Sequence, residues 1–281
     1  MSNNIFFERG QMADVGSQTS NYLWNGDCLE LMKDIPDKSM DAIICDLPYG
    51  TTQCKWDSVI PFELLWNEYK RIAKDNCPIV LFGSEPFSSA LRMSNIKNYK
   101  YDWIWYKDRP SGSLNAKIMP MRNNENISVF YKKQPTFNRI KEPREQNEES
   151  KKRLKYKMSG KVSKASVYGN IKDVENYKAD ENLRNPTTIK FFKCPPNATG
   201  KLHPTQKPLE LLKYLVKTYT NENDWVLDNT CGSNTTGIAC MDLNRNYIGI
   251  EKDIDIYNVA KKRVEKNILL RANKPKTLFE Q

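Results

Sequence analysis

From Asn21 onward the chain alternates short apolar runs with segments of helical period. NYLW, DAIICD and CPIVLF read as strands, and CLELMKDI and PFELLWNEYKRIA between them as helices. In PFELLWNEYKRIA the residues Phe62, Leu65, Trp66, Tyr69, Ile72 and Ala73 share one face, and Pro61 suits a first helical turn. Tyr101–Lys107 (YDWIWYK) and Ile127–Tyr131 (ISVFY), aromatic and β-branched, predict two further strands. From about Gln134 to Gly200 the regular period is lost, and Asn, Lys, Pro and Ser accumulate as in an inserted subdomain or a long loop system. The alternation then resumes: KPLELLKYLVKTYT as helix, WVLD as strand, TTGIACMDL as helix, NYIGIE as strand and IDIYNVAKKRVEKNI as helix. Such an alternation predicts an α/β fold, a doubly wound and mostly parallel sheet.

The 281 residues suffice for one large α/β domain with an insertion, or for two domains. With 39% hydrophobic and 11% aromatic residues the chain is not disordered, despite 28% charge. No run approaches the ~20 apolar residues of a membrane span, and the first twenty residues lack the apolar core of a signal peptide. The expectation is a soluble, intracellular protein. A net charge of +10 favours a polyanionic partner. The seven cysteines are never spaced C-x-x-C and lie mostly in apolar runs, as reduced core residues do. With His203 the single histidine, a zinc site or a Ser-His-Asp triad would depend on one imidazole, and no metal is expected.

Two segments carry chemistry. In Trp225–Gly237 (WVLDNTCGSNTTG) a strand ends in Asp228, a turn of small residues follows, and a helix opens at Thr235. Small residues there let backbone approach a nucleotide at the carboxyl edge of a sheet. The phosphate-loop pattern G-x-x-x-x-G-K-[ST] is missing. Glu251, at the tip of the next strand, is placed to bind ribose hydroxyls. An ordinary βαβ crossover with a Gly turn has the same outline. The second segment, Asp46-Leu47-Pro48-Tyr49-Gly50, follows the apolar AIIC. Alone it is a strand end and a turn. At the carboxyl edge of a parallel sheet, its acid, constrained carbonyl and ring can hold a planar amine by two hydrogen bonds and a stack.

Together these segments resemble the β class of S-adenosylmethionine-dependent amino DNA methyltransferases. DLPY stands for the family's D-P-P-Y, VLDNTCGSNTTG for its cofactor loop V-L-D-P-F-x-G-S-G-T-T, and HPTQKP (203–208) for H-P-T-x-K-P. The three occur in the order of that class, and the resemblance covers roughly 21–135 and 200–270. It implies a Rossmann-like class I methyltransferase sheet, circularly permuted, with an inserted target-recognition region. The expected segments are a tail 1–20, a catalytic half 21–133, the target-recognition region 134–200, a cofactor-binding half 201–270 and a tail 271–281.

The implied activity is site-specific transfer of a methyl group from S-adenosyl-L-methionine to adenine N6 of a base flipped out of double-stranded DNA. Asp46, Leu47, Pro48 and Tyr49 form the implied catalytic element: Tyr49 stacks on the base, while the Asp46 carboxylate and the Leu47 carbonyl accept the amino hydrogens. The implied cofactor residues are Asp27, Lys207, Asp228, Cys231, Gly232, Ser233, Asn234, Thr235, Thr236 and Glu251. Asp27 falls at the cofactor's adenine or, equally, acts as a helix N-terminal acid. Lys207 falls near the methionine carboxylate or serves as a helix-start lysine. Between Ser150 and Lys164 lie seven basic residues and no acidic one. Within that stretch Lys151, Lys152, Arg153, Lys155 and Lys157 are expected to contact DNA phosphates, the alternative being a solvated loop.

The chain departs from the family at Leu47, Asn229, Thr230 and Asn234, which replace Pro, Pro, Phe and Gly. At position 47 only the backbone carbonyl is used. Asn tolerates positive φ better than most residues, so affinity for the cofactor is in question more than activity. Rival readings are N4-cytosine methylation, where Ser more often opens the tetrapeptide, methylation of RNA or a glutamine side chain, and a catalytically silent DNA-binding protein. C5-cytosine methylation needs a nucleophilic Cys after Pro, whereas Cys194 precedes Pro195. The expected setting is restriction-modification in a bacterial cytoplasm, host-encoded or phage-encoded. No membrane partner is expected, and a homodimer remains open.

Overall fold

Because AIIC is apolar at every position, both of its faces must be covered. In the computed structural model Ile43 packs into one buried cluster and Ile44 into the other, on opposite sides of one sheet. The structure describes residues 19–51, 57–145, 182–196 and 206–272, with the single positions 148, 152 and 180. The described parts of Met1–Asn138 and Thr188–Gln281 form one unit, and those of Arg139–Thr187 a second.

In chain order the first unit begins with β1 (Asn21–Asn25), α1 (Cys28–Leu31), β2 (Ala42–Cys45), α2 (Phe62–Ile72), β3 (Ile79–Gly83) and α3 (Phe87–Ser94). Then come β4 (Tyr99–Ser111) and β5 (Arg122–Phe130). The second unit holds a short antiparallel pair, β6 (Glu142–Pro143) and β7 (Leu183–Arg184), with Lys141 3.2 Å from Asp180. The first unit resumes with β8 (Ile189–Phe191), α4 (Leu209–Tyr219), β9 (Trp225–Asp228), α5 (Thr235–Asp242), β10 (Asn246–Glu251) and α6 (Ile254–Ala272).

The eight-stranded sheet runs β1-β10-β9-β2-β3-β5-β4-β8, and only β5 is antiparallel to its neighbours. This is a Rossmann-like sheet in permuted order, its centre joining β2 to β9 from the other end of the chain. Helices α1 to α3 contribute Leu31, Leu65, Tyr69, Ile72, Phe87 and Leu91 to the cluster on one face. Helices α4 to α6 contribute Leu211, Leu212, Leu215, Ala239 and Ala260 to the other.

Four details differ from the sequence reading. CLELMKDI gives one α-turn, then a 3-10 turn over Met32–Asp34 that stops before Pro36. β4 and β5 extend beyond the aromatic runs and form a long antiparallel pair. Helix α3, only eight residues long, was not anticipated. Ile189–Phe191, inside the segment read as 134–200, adds a parallel edge strand beside β4. No helix among the described residues is long and apolar enough to cross a membrane.

Candidate active site

Of the neighbouring strands β2 and β9, β9 ends at Asp228 and β2 runs directly into Asp46, and beyond them opens a cavity of about 840 Å³. That is the size of a cofactor pocket. Beyond β2, the Tyr49 hydroxyl donates to Asp46 Oδ1 at 2.6 Å, and Lys207 Nζ lies 2.5 Å from Asp46 Oδ2. The Thr230 hydroxyl donates to the Asp46 backbone carbonyl at 3.0 Å, tying the tetrapeptide to the loop after β9. The Asp57 carboxylate accepts the Gly50 and Thr51 amides, each at 2.9 Å, and fixes the exit of the turn. Leu47 is buried and joins the core. The Tyr49 ring stacks on Phe87 with centroids 5.0 Å apart.

Asp46 sits in a chain of alternating charge. Lys207 also lies 3.3 Å from Glu125 on β5, and Glu125 is 3.1 Å from Lys107 on β4. Lys207 and Lys107 are both buried, and the Lys207 ammonium rests over the Phe82 and Tyr49 rings. Burial raises the Asp46 carboxyl above its ordinary range; Lys207 opposes that rise and Glu125 adds to it. Burial would lower Lys207, but Asp46 and Glu125 hold it above its usual value.

The loop after β9 is built differently. Asp228 is buried, and its partners are the Thr230 amide at 3.3 Å and the Thr236 and Cys45 side chains; among the described residues no cation pairs with it. Burial pushes its carboxyl up to about 7. Glu251 Oε2 accepts the Gly232 amide at 2.9 Å and Oε1 the Asp253 amide at 2.8 Å, and burial raises this carboxyl as well. Gly232 (φ 54°) and Asn234 (φ 62°) both take the left-handed conformation that opens α5, so the asparagine does there what glycine would. Ser233, Thr235 and Thr236 are buried around the same turn, as is Cys231, whose amide bonds to Ile250.

Asn229 lies beneath this loop. Its Oδ1 accepts from the Tyr69 hydroxyl at 2.6 Å and the Cys45 thiol at 2.9 Å, while its Nδ2 is buried without a partner and the residue lines the cavity. An unfilled buried donor beside two buried carboxyls that no cation pairs with among the described residues fits a polar, cationic ligand such as the implied cofactor. Asp27 borders the same cavity and is also the N-cap of α1, accepting the Leu29 amide at 2.9 Å and pairing with Lys252 at 3.1 Å.

The structure therefore brings Asp27, Asp46, Tyr49, Lys207, Asp228 and Glu251 to one cavity. Lys207, grouped with the cofactor residues from sequence, lines this cavity and is ion-paired to Asp46. His203 lies outside the described residues, as do Lys151, Arg153, Lys155 and Lys157; Lys152 is exposed. Sequence reasoning missed Lys107 and Glu125. It also missed Arg263 on α6, whose guanidinium donates to the Ser233 carbonyl at 2.9 Å and the Thr235 hydroxyl at 2.8 Å, bracing the cofactor loop from behind. Burial lowers Arg263 to about 10. The signal for Lys107 was available: in YDWIWYK it alternates with Trp103 and Trp105, so it belongs to the buried face.

Comparison with known proteins agrees with this architecture. The family profile described as DNA methylase, of the N6/N4 type, matches residues 40–262. The type II methyltransferase M.HinfI of Haemophilus influenzae is 29% identical over 274 residues, covering 87% of this chain and 68% of that protein. M1.MboII of Moraxella bovis is 26% identical, covering 85% and 95%. Among solved structures, the M1.HpyAVI–SAM complex matches with a TM-score of 0.57 and 27% identity over 87% of this chain and 98% of that one. The cytosine-N4-specific PvuII DNA methyltransferase shares the fold, with a TM-score of 0.61 at 15% identity over 91% and 93%.

Proposed function

Since the chain belongs to the N6/N4 DNA methylase family, we propose that this site-specific, S-adenosylmethionine-dependent DNA methyltransferase modifies adenine at N6. The observation that carries the choice of base is the half-buried carboxylate of Asp46 beside the Tyr49 ring, where a cytosine-N4 enzyme more often has serine. A flipped base stacks on Tyr49. Its amino group donates one hydrogen to Asp46 and the other to the Leu47 carbonyl, which turns the nitrogen lone pair outward and stabilises the positive charge developing on it.

S-adenosylmethionine supplies an electrophilic methyl group on a cationic sulfur. Asp228 and Asn229 would hold its polar parts, Glu251 its ribose hydroxyls, and the backbone from Cys231 to Thr236 would line its path, with Asp27 at the far end. The carboxyls of Asp228 and Glu251, raised by burial, gain a cation to face when the site fills.

For the DNA, the basic residues Lys151, Lys152, Arg153, Lys155 and Lys157 serve as phosphate contacts within a target-recognition region. Neutralising them is expected to weaken all duplexes nearly uniformly and to flatten the slope of log K against log salt by about one unit per lost contact. A fluorescence titration at several salt concentrations that returns the wild-type slope would reduce the stretch to a solvated loop.

The base is tested directly. Duplex DNA incubated with methyl-labelled cofactor is digested to nucleosides and separated. Label in N6-methyladenine is the expected result. Label in N4-methylcytosine overturns the choice of base, and absence of label indicates a silent DNA-binding protein.

A further inference from the structure

Asp46 as acceptor of the target amino group raises a question the tetrapeptide does not answer: what balances Lys207 once Asp46 carries a proton. Glu125 stands opposite Trp105 in the β4–β5 register, its side chain 16% exposed. Its Oε1 faces Lys107 at 3.1 Å. Its Oε2 is buried and faces Lys207 Nζ at 3.3 Å, a longer ion pair than the one Lys207 makes with Asp46. The Lys207 ammonium thus sits between two carboxylates, 2.5 Å from Asp46 and 3.3 Å from Glu125, held more closely by the first.

We infer that Glu125 is a positioning residue that takes over Lys207 when Asp46 receives the proton released by the methylated amine. The amino nitrogen bonds to the donor methyl carbon, the carbon–sulfur bond breaks with its electron pair left on sulfur, and the surplus proton on nitrogen passes to the Asp46 carboxylate. The neutral acid no longer attracts the ammonium, which turns to Glu125 Oε2. Lys207 stays protonated throughout and is never left as a buried, unpaired cation, a costly state. Loss of the Asp46 proton to solvent restores the starting arrangement. The groups facing Asp46 are Tyr49, Lys207, Glu125 and Asp228, with Lys107 behind Glu125 and Asp57 near Tyr49.

This inference rests on Asp46 being the amine acceptor, so the two are tested together. Single-turnover methyl transfer to duplex DNA is measured against pH for wild type, Asp46→Ala, Glu125→Gln and Glu125→Asp, with cofactor affinity by calorimetry. Glu125→Gln is expected to slow transfer by roughly 10–100-fold, below the ~10²–10⁴-fold of a direct general base, while cofactor affinity changes less than about twofold. Its acid limb moves to lower pH, because Asp46 ionises more readily without a neighbouring negative charge. Glu125→Asp keeps the wild-type limb at a reduced rate. Wild-type rate and limb in Glu125→Gln, or a limb in Glu125→Asp displaced as far as in the Gln variant, overturn the role of Glu125 while a dead Asp46→Ala leaves the Asp46 assignment standing. An active Asp46→Ala overturns the assignment itself.

Discussion

Asp46 directly follows β2, Asp228 ends the adjacent parallel strand β9, and both face one cavity, Asp46 half-buried and Asp228 buried, yet the protein treats them in opposite ways. Asp46 has a lysine, a tyrosine hydroxyl and, one step further, a second carboxylate and a second lysine. Asp228 has one backbone amide, a threonine side chain and a thiol, and no cation among the described residues. The first carboxylate is compensated in advance, which suits a group that must be ionised and oriented before a neutral amine arrives. The second is left with its desolvation cost unpaid, which suits a group whose partner brings the positive charge. One strand end is preorganised for the transition state, and the other holds binding energy in reserve.

The largest expected effect breaks this comparison on the Asp46 side. Asp46→Ala should reduce methyl transfer by at least about 10²–10³-fold, the scale of losing a transition-state contact, with calorimetric cofactor affinity nearly unchanged. Wild-type turnover in the variant would remove Asp46 from the chemistry.

Next in size is a change on the Asp228 side that acts in two directions. Asp228→Asn should weaken cofactor binding by ~1–3 kcal/mol and yet stabilise the cofactor-free protein above neutral pH. In the folded protein this carboxyl is raised to about 7. Stability is therefore greatest below the ordinary carboxylate range, near pH 4, and falls as pH rises through 7; the amide removes that fall. At pH 8 the cofactor-free melting temperature should rise by a few degrees. An equal or lower melting temperature means that Asp228 is compensated in some other way.

The smallest expected effect sharpens the contrast. Tyr49→Phe removes the 2.6 Å hydrogen bond to Asp46 but keeps the ring. Single-turnover rates should drop by less than about tenfold, whereas Tyr49→Ala, which loses the stack as well, should lose most activity. Equal losses in the two variants would make the hydroxyl, and not the ring, the important part.

The Asp228 side of the comparison was the more legible in sequence. Apolar runs ending in Asp46, Asp228 and Glu251 locate three strand tips, and a doubly wound sheet places such tips on one edge, so the cavity could be anticipated from local pattern alone. The compensation of Asp46 could not. Lys207 reaches it from far along the chain, and Glu125 sits in the polar NNEN run, whose strand was expected to begin only at Ile127. Ion pairs of this kind have no local period, and only the register of β4 against β5 brings Lys107 and Glu125 together. Arg263 was hidden for a related reason: on an exposed-looking helix rich in Lys and Arg, nothing local separates the one guanidinium that turns inward to the cofactor loop.

The permuted strand order also governs how the chain can be made. β1 has β10 as its neighbour in the sheet, and β2 needs β9 on one side. During synthesis, roughly the first two hundred residues therefore emerge with an apolar central strand whose edge has no partner, an arrangement prone to wrong pairing. Closure of the sheet must wait for WVLD and NYIGIE, and the long sequence separation of those pairings slows it further. Expression of 21–133 alone should give an insoluble fragment, and supplying 206–272 as a separate chain should recover soluble protein by completing the sheet in trans.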